Sequence, residues 1–232
     1  MRPGDPVLSR AVGLVLLATL ALVAGPLVAQ VPDVPILVVE LWSELDPLVF
    51  DGSERPLPRE AVVERLLDEA VVVLSGMVYG YRFVYVPADP TRRVAERFDL
   101  EPYATIVRGD PRLDVFQTWV EESRLYARVS YTLDDRQTGW YRGWTGAANA
   151  AATGVGTAPF ISGPAAKPLA LRDAVRTAIR SHARELVFNR PRRIAGAVLV
   201  SEPPRTVVRS GAYETRVSVL LQIDAIEPYE HY

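Results

Sequence analysis

The chain has 232 residues, a formal net charge of −2 and no cysteine. Without a thiol it forms no disulfide, runs no thiolate chemistry, offers no Cys-ligated metal site and carries no lipid on an N-terminal cysteine. With 28 acidic against 26 basic residues, it lacks the strongly basic balance of a nucleic-acid binder, and no nucleic-acid partner is expected.

Arg2 and Arg10 precede Ala11–Ala24, a run without charge; Gly25-Pro26 interrupts it and Leu27-Val28-Ala29 ends on a small residue. A basic head, an apolar middle and a small residue predict a signal peptide over residues 1–29, cleaved near Ala29. A membrane span needs about 20 apolar residues, so the alternative is an uncleaved inner-membrane anchor using Ala11–Ala29. Residues 30–232 are then expected as one exported domain, periplasmic or secreted, large enough to bury a core. Among the 26 basic residues only Lys167 is lysine, a bias that fits a GC-rich bacterial genome.

Pro35–Trp42 reads as a first strand, and Asp46–Pro58, with three prolines, as a loop. In Arg59–Met77, Val62, Val63, Leu66, Ala70, Val73, Leu74 and Met77 recur at helical spacing, predicting an amphipathic helix that begins after Pro58. Tyr79–Val86 alternates as a strand does, and Pro87 stops it. Thr91–Phe98 reads as a short helix and Tyr103–Val107 as a short strand. Leu113–Val120 and Leu125–Leu133 alternate on either side of Glu121–Arg124, which predicts a hairpin.

Residues 138–165 are rich in Gly, Ala and Thr and read as a long flexible loop. They join an acidic first half to a basic second half, in which residues 164–232 carry eleven basic against seven acidic residues. A second helix follows over Leu169–Phe188, then strands over Ile194–Val200 and Tyr213–Ile226. Two helix-to-strand units among alternating strands predict an α+β fold: a mostly antiparallel sheet of about five to six strands with two main amphipathic helices on one face.

The chemical inventory is short. His182 and His231 are not spaced as paired metal ligands, no Gly-x-Ser-x-Gly elbow is present, and Gly154-Val-Gly156 lacks the rest of a phosphate-binding loop. No metal and no cofactor are expected, and catalysis is not the favoured role.

Three constellations are left. Arg172, Arg176, Arg180 and Arg184 recur every four residues and form one ridge on the second helix. Like charges at that spacing repel slightly, so the ridge is either paired within the fold or seats an anionic envelope component or an acidic protein. Trp140, Tyr141 and Trp144 either cap the end of the core or contact a ligand. Glu40, Glu44 and Asp46 flank Trp42, and two carboxylates beside tryptophans suit a glycan site.

The leading expectation is an exported cell-envelope protein that binds or assembles. The alternative is a periplasmic glycan-binding or glycan-hydrolysing protein using Glu40 or Glu44 with Trp42, Trp140 and Trp144. That alternative requires these side chains to share one cleft.

Overall fold

The computed structural model describes residues 35–46, 56–146, 148–186 and 191–229; the expected signal peptide, residues 1–29, lies outside them. The described residues belong to one compact unit, Val34–Tyr232. In chain order the elements are β1 (Ile36–Glu44), α1 (Arg59–Val78), β2 (Tyr81–Val86), β3 (Arg97–Pro102), β4 (Leu113–Glu121) and β5 (Arg124–Thr132). They continue with α2 (Asp135–Gly146), β6 (Ala150–Pro159), α3 (Ala166–Leu186), β7 (Arg193–Val200), β8 (Arg205–Arg209) and β9 (Ala212–Glu227).

The fold is α+β, and every strand pairing is antiparallel. The strands divide between two sheets. One has the order β1-β5-β4; the other has the order β3-β2-β7-β9-β6, with β8 also paired to β9. Alternation in a sequence marks a strand's buried face, but not which sheet the strand joins. Here α1 decides, because it touches β1 and β5 of the first sheet and β7 of the second. Its buried residues Val62, Leu66, Ala70, Val73, Leu74, Met77 and Val78 therefore serve both sheets in one core.

The core follows the expected periods. On β1, Leu37, Val39 and Leu41 are buried; on β5, Leu125, Ala127, Val129 and Tyr131 are. The expected β4–β5 hairpin closes through Glu122 and Ser123, both with positive φ. Such a pair gives the turn the twist of the strands it joins.

Three segments differ from expectation. Thr91–Phe98 does not form a helix: Asp89 accepts hydrogen bonds from the Arg92 backbone and side chain. Arg93 then adopts φ 56°, which a right-handed helix cannot continue. A strand over Tyr103–Val107 is replaced by a connection in which the Ile106 amide donates to Ser75 Oγ at 2.8 Å, fastening the segment to α1.

The largest difference is residues 138–165, expected as a flexible loop. They supply most of α2 and all of β6. The Gly/Ala composition that suggested mobility instead permits close packing. On α3, Ala166, Ala170, Ala174 and Ala178 are all buried and recur every four residues on one helical face. Against them lie Gly154 and Gly156 of β6, so close that a Cβ on Gly154 would stand 2.1 Å from the Ala174 carbonyl oxygen.

Candidate functional site: a polar clamp and its cleft

The chain's one lysine sits in the first turn of α3 with its side chain only 10% exposed. Lys167 Nζ donates to the backbone carbonyl of Trp42 and lies 3.1 Å from Glu69 Oε2 on α1. It is also 4.0 Å from the Trp42 ring centroid, while the Arg124 guanidinium lies 4.4 Å from the same centroid. β1 is an edge strand, and a lysine over its carbonyl covers backbone that would otherwise invite another strand. A compact ammonium can serve a carbonyl, a carboxylate and a ring face together; a planar guanidinium fork is less suited to that convergence.

The cluster extends to β9, where the Tyr213 hydroxyl donates to Glu44 Oε1 at 2.9 Å. Trp42 Nε1 donates to the Thr206 carbonyl on β8 at 3.1 Å. Residues of β1, α1, α3, β8 and β9 thus meet at one point, joining the two sheets. Burial raises the Glu69 carboxyl above its usual range, Lys167 opposes that shift, and the nearby Glu44 charge adds to it. Burial and Glu44 likewise raise the Tyr213 hydroxyl.

Beside this clamp runs an open cleft. Trp42, Arg124 and Tyr126 line one wall and residues Pro203 to Val208 the other, with Glu40, Glu69 and Glu202 also contributing. Its carboxylates are engaged: Glu40 pairs with Arg128 at 3.0 Å, Glu69 with Lys167, and Glu202 accepts from Ser218 at 2.9 Å.

The arginine ridge is largely paired within the fold. Arg172 donates to the Phe98 carbonyl at 2.6 Å. Arg176 pairs with Asp173 at 2.5 Å and Glu96 at 3.2 Å, and Arg180 reaches Glu96 at 3.8 Å. The contacts to Phe98 and Glu96 fasten α3 to β3 and to the residue before it, on the far edge of the larger sheet. Arg184, one turn further on, makes none of them.

The aromatic head also packs inward. Trp144, 7% exposed, lies with Ala197 and Leu199 of β7, on the sheet face opposite Val198 and Val200. Tyr141 supports both clusters. Trp140 is 43% exposed, yet its Nε1 donates to the Tyr79 carbonyl at 3.1 Å and its ring meets Tyr103 edge-on at 5.7 Å. The cleft that Trp42 lines has neither Trp140 nor Trp144 in its walls. The structure therefore does not bring together the tryptophans that the glycan alternative requires.

A second polar network holds the start of α2. Arg112 forks onto Asp110 and also reaches Asp134 and Gln137, while Tyr131 donates to Asp110 at 3.1 Å. Hydrogen bonds from Arg112, chiefly, hold the Asp110 carboxyl down to about 2, below its ordinary 3.8. A carboxyl whose folded pKa is depressed contributes stability above its unfolded pKa and loses it as pH falls through the folded one. Folding stability is therefore expected to drop between about pH 4 and pH 2. Asp110→Asn should flatten the slope of urea midpoint against pH in that window, whereas an unchanged slope would remove Asp110 from the account.

Among the described residues, no group of three or more His, Asp or Glu side chains is placed to hold a metal ion, and no helix is long and apolar enough to cross a membrane. Sequence reasoning missed Lys167, Glu69, Tyr213 and Arg124 as a group. One signal was available: in a chain that otherwise uses arginine, the single retained lysine marks a place where the smaller cation is needed.

Fold and site define an α+β protein whose two antiparallel sheets are joined by a buried ionic clamp. A protein-family model matches residues 25–229, and the chain belongs to that family. The chain is also similar to a Treponema pallidum (strain Nichols) protein described as "Uncharacterized protein", with 25% identity over 197 residues, 84% of this chain and 82% of that protein. No solved structure matches.

Proposed function

We propose that the chain is an exported bacterial cell-envelope protein that acts by binding or assembly, with the Trp42 cleft as its ligand-engaging surface. The basic head and apolar run before Ala29 support export. The observation that carries the binding role is the cleft itself. It offers an open wall of Trp42, Arg124 and Tyr126, while its carboxylates Glu40, Glu69 and Glu202 are tied to internal partners. Aromatic and arginine side chains are the usual anchors of recognition surfaces.

The test is capture from the native envelope with tagged protein. Wild type should retain a component that Tyr126→Ala, with unchanged folding, loses; equal capture by both removes the cleft from the account. Mass spectrometry of the mature chain should find Gln30 first. An intact leader would favour the anchored form.

A narrower glycan reading, without Trp140 and Trp144, is the second one, favoured by Trp42 and Glu40 lining the same cleft. It predicts calorimetric binding of soluble envelope glycan fragments that Trp42→Ala abolishes.

A further inference from the structure

β8 and β9 pair so that Arg205 stands directly opposite Arg216. Like charges placed opposite each other on antiparallel strands are destabilising. Both side chains are exposed, and neither has a carboxylate partner among the described residues. Their surroundings show that partners are usually supplied. Arg209, on the same strand, has Glu214 at 3.5 Å, and Arg192 and Arg193 share Glu227 at 2.8 Å each. The nearby Glu202 is turned to Ser218 instead.

The register extends this pair into a surface. Val155 of β6 lies opposite Arg216 from the other side, so one row across three strands reads Val155, Arg216, Arg205. On β8, Val207 follows Arg205 on the same face two residues later. Val155 and Val207 are 37% and 52% exposed. This face points away from α3: Thr215 and Val217, which flank Arg216 on β9, are buried, and Gly154 and Gly156, which flank Val155, pack against the helix. Trp144 covers the same sheet further along, at Ala197 and Leu199, and leaves this row open.

We propose that this face docks on an anionic phospholipid surface, with Arg205 and Arg216 seating a headgroup phosphate and Val155 and Val207 at the acyl boundary. Guanidinium forks match phosphate oxygens bidentately, so a shared phosphate turns the repulsion of the pair into attraction. Val155 lies beside the arginine pair in its row, and Val207 lies in the next row opposite Glu214, which is paired to Arg209. Basic and apolar groups thus meet at one edge of the sheet, the combination that interfacial binding uses. The inference rests on reading the chain as a binding module; Arg205 and Val207 belong to the cleft wall that faces Trp42, whereas Arg216 and Val155 lie outside the cleft lining.

The experiment is sedimentation of the mature chain with vesicles of phosphatidylglycerol and phosphatidylcholine, against vesicles of phosphatidylcholine alone, in 0.1 M salt. Binding to the anionic vesicles only is expected. Arg205→Glu with Arg216→Glu should weaken it by at least about tenfold, Arg216→Glu alone by less, and Val155→Ser with Val207→Ser should also weaken it. Circular dichroism and melting should confirm that each variant folds; Arg205→Gln with Arg216→Gln provides a milder pair that must also bind less. Raised salt should release the protein. Tyr126→Ala should bind vesicles normally, and Arg216→Glu, outside the cleft lining, should keep envelope capture; together they separate failure here from failure of the cleft.

Four results would overturn the proposal: undiminished binding by the folded arginine variants, equal binding to neutral vesicles, binding to neither kind, or displacement by millimolar inorganic phosphate. The last would mark a site for soluble phosphate. Salt-sensitive retention of an acidic protein, without vesicle binding, would likewise replace the lipid by a protein partner.

Discussion

Lys167→Met is expected to lower folding stability by about 3–5 kcal/mol, the cost of removing one partner from a buried ion pair. The change leaves Glu69 buried without its cation and deprives the Trp42 carbonyl of its donor. Removing both charges is a different matter. Lys167→Met with Glu69→Leu should recover most of the loss, since an apolar pair of similar volume is often neutral or better than a buried ion pair.

The pH dependence supplies an independent signature. Glu69 has a carboxyl pKa raised by burial in the folded state. Its contribution is therefore fully present below the unfolded value of about 4.5 and is lost as pH rises through the folded value. Without Lys167 to oppose the shift, the folded value climbs further. The deficit of Lys167→Met should be largest at neutral pH and shrink as pH falls toward 4.5. Urea titrations at several pH values measure this. A deficit below about 1 kcal/mol, the scale of an exposed pair, or one indifferent to pH, would mean that the clamp is not the joint described above.

Gly156→Val should be comparably damaging for a steric reason. A Cβ there would stand 2.0 Å from the Ala174 amide nitrogen and 2.4 Å from the Ala170 carbonyl oxygen. Both are α3 backbone atoms, so the clash cannot be relieved by turning a side chain. Helix and strand must separate, at a cost of about 3 kcal/mol or more. Gly143→Ala gives the opposite sign. It lies inside α2 with no atom within 4 Å of the added carbon, so the change should stabilise by about 0.5–1 kcal/mol through helix propensity. Chemical denaturation of the two variants side by side checks both. Should Gly156→Val keep the wild-type midpoint, the close contact between β6 and α3 is not made.

Much of the fold is legible in local patterns. The stripe from Val62 to Met77 sets α1, and the alternation around Glu121–Arg124 sets the β4–β5 hairpin. Stretches whose meaning depends on a distant neighbour were read less well. Residues 150–159 look mobile because they are small, yet their smallness is a fit to Ala170, Ala174 and Ala178. Trp140, Tyr141 and Trp144 stand out as candidate ligand contacts, but Trp144 is needed to cover β7. Apart from Asp173, one turn before Arg176, the ridge's partners cannot be read along its own helix, because the Phe98 carbonyl and Glu96 lie 74 and 80 positions away.

The sequence by itself determined the α+β class, the two main amphipathic helices, the strands with clear alternation and the absence of any thiol chemistry. Each of these follows from composition or from a short-range period, which a linear chain displays openly. Only the tertiary structure decided that the strands form two sheets, that β6 packs tightly on α3, and that Lys167 meets Trp42 and Glu69 across 125 and 98 residues of chain. Sheet membership, close approach and ionic partners are set by which surfaces exclude water together, and no local period encodes that choice.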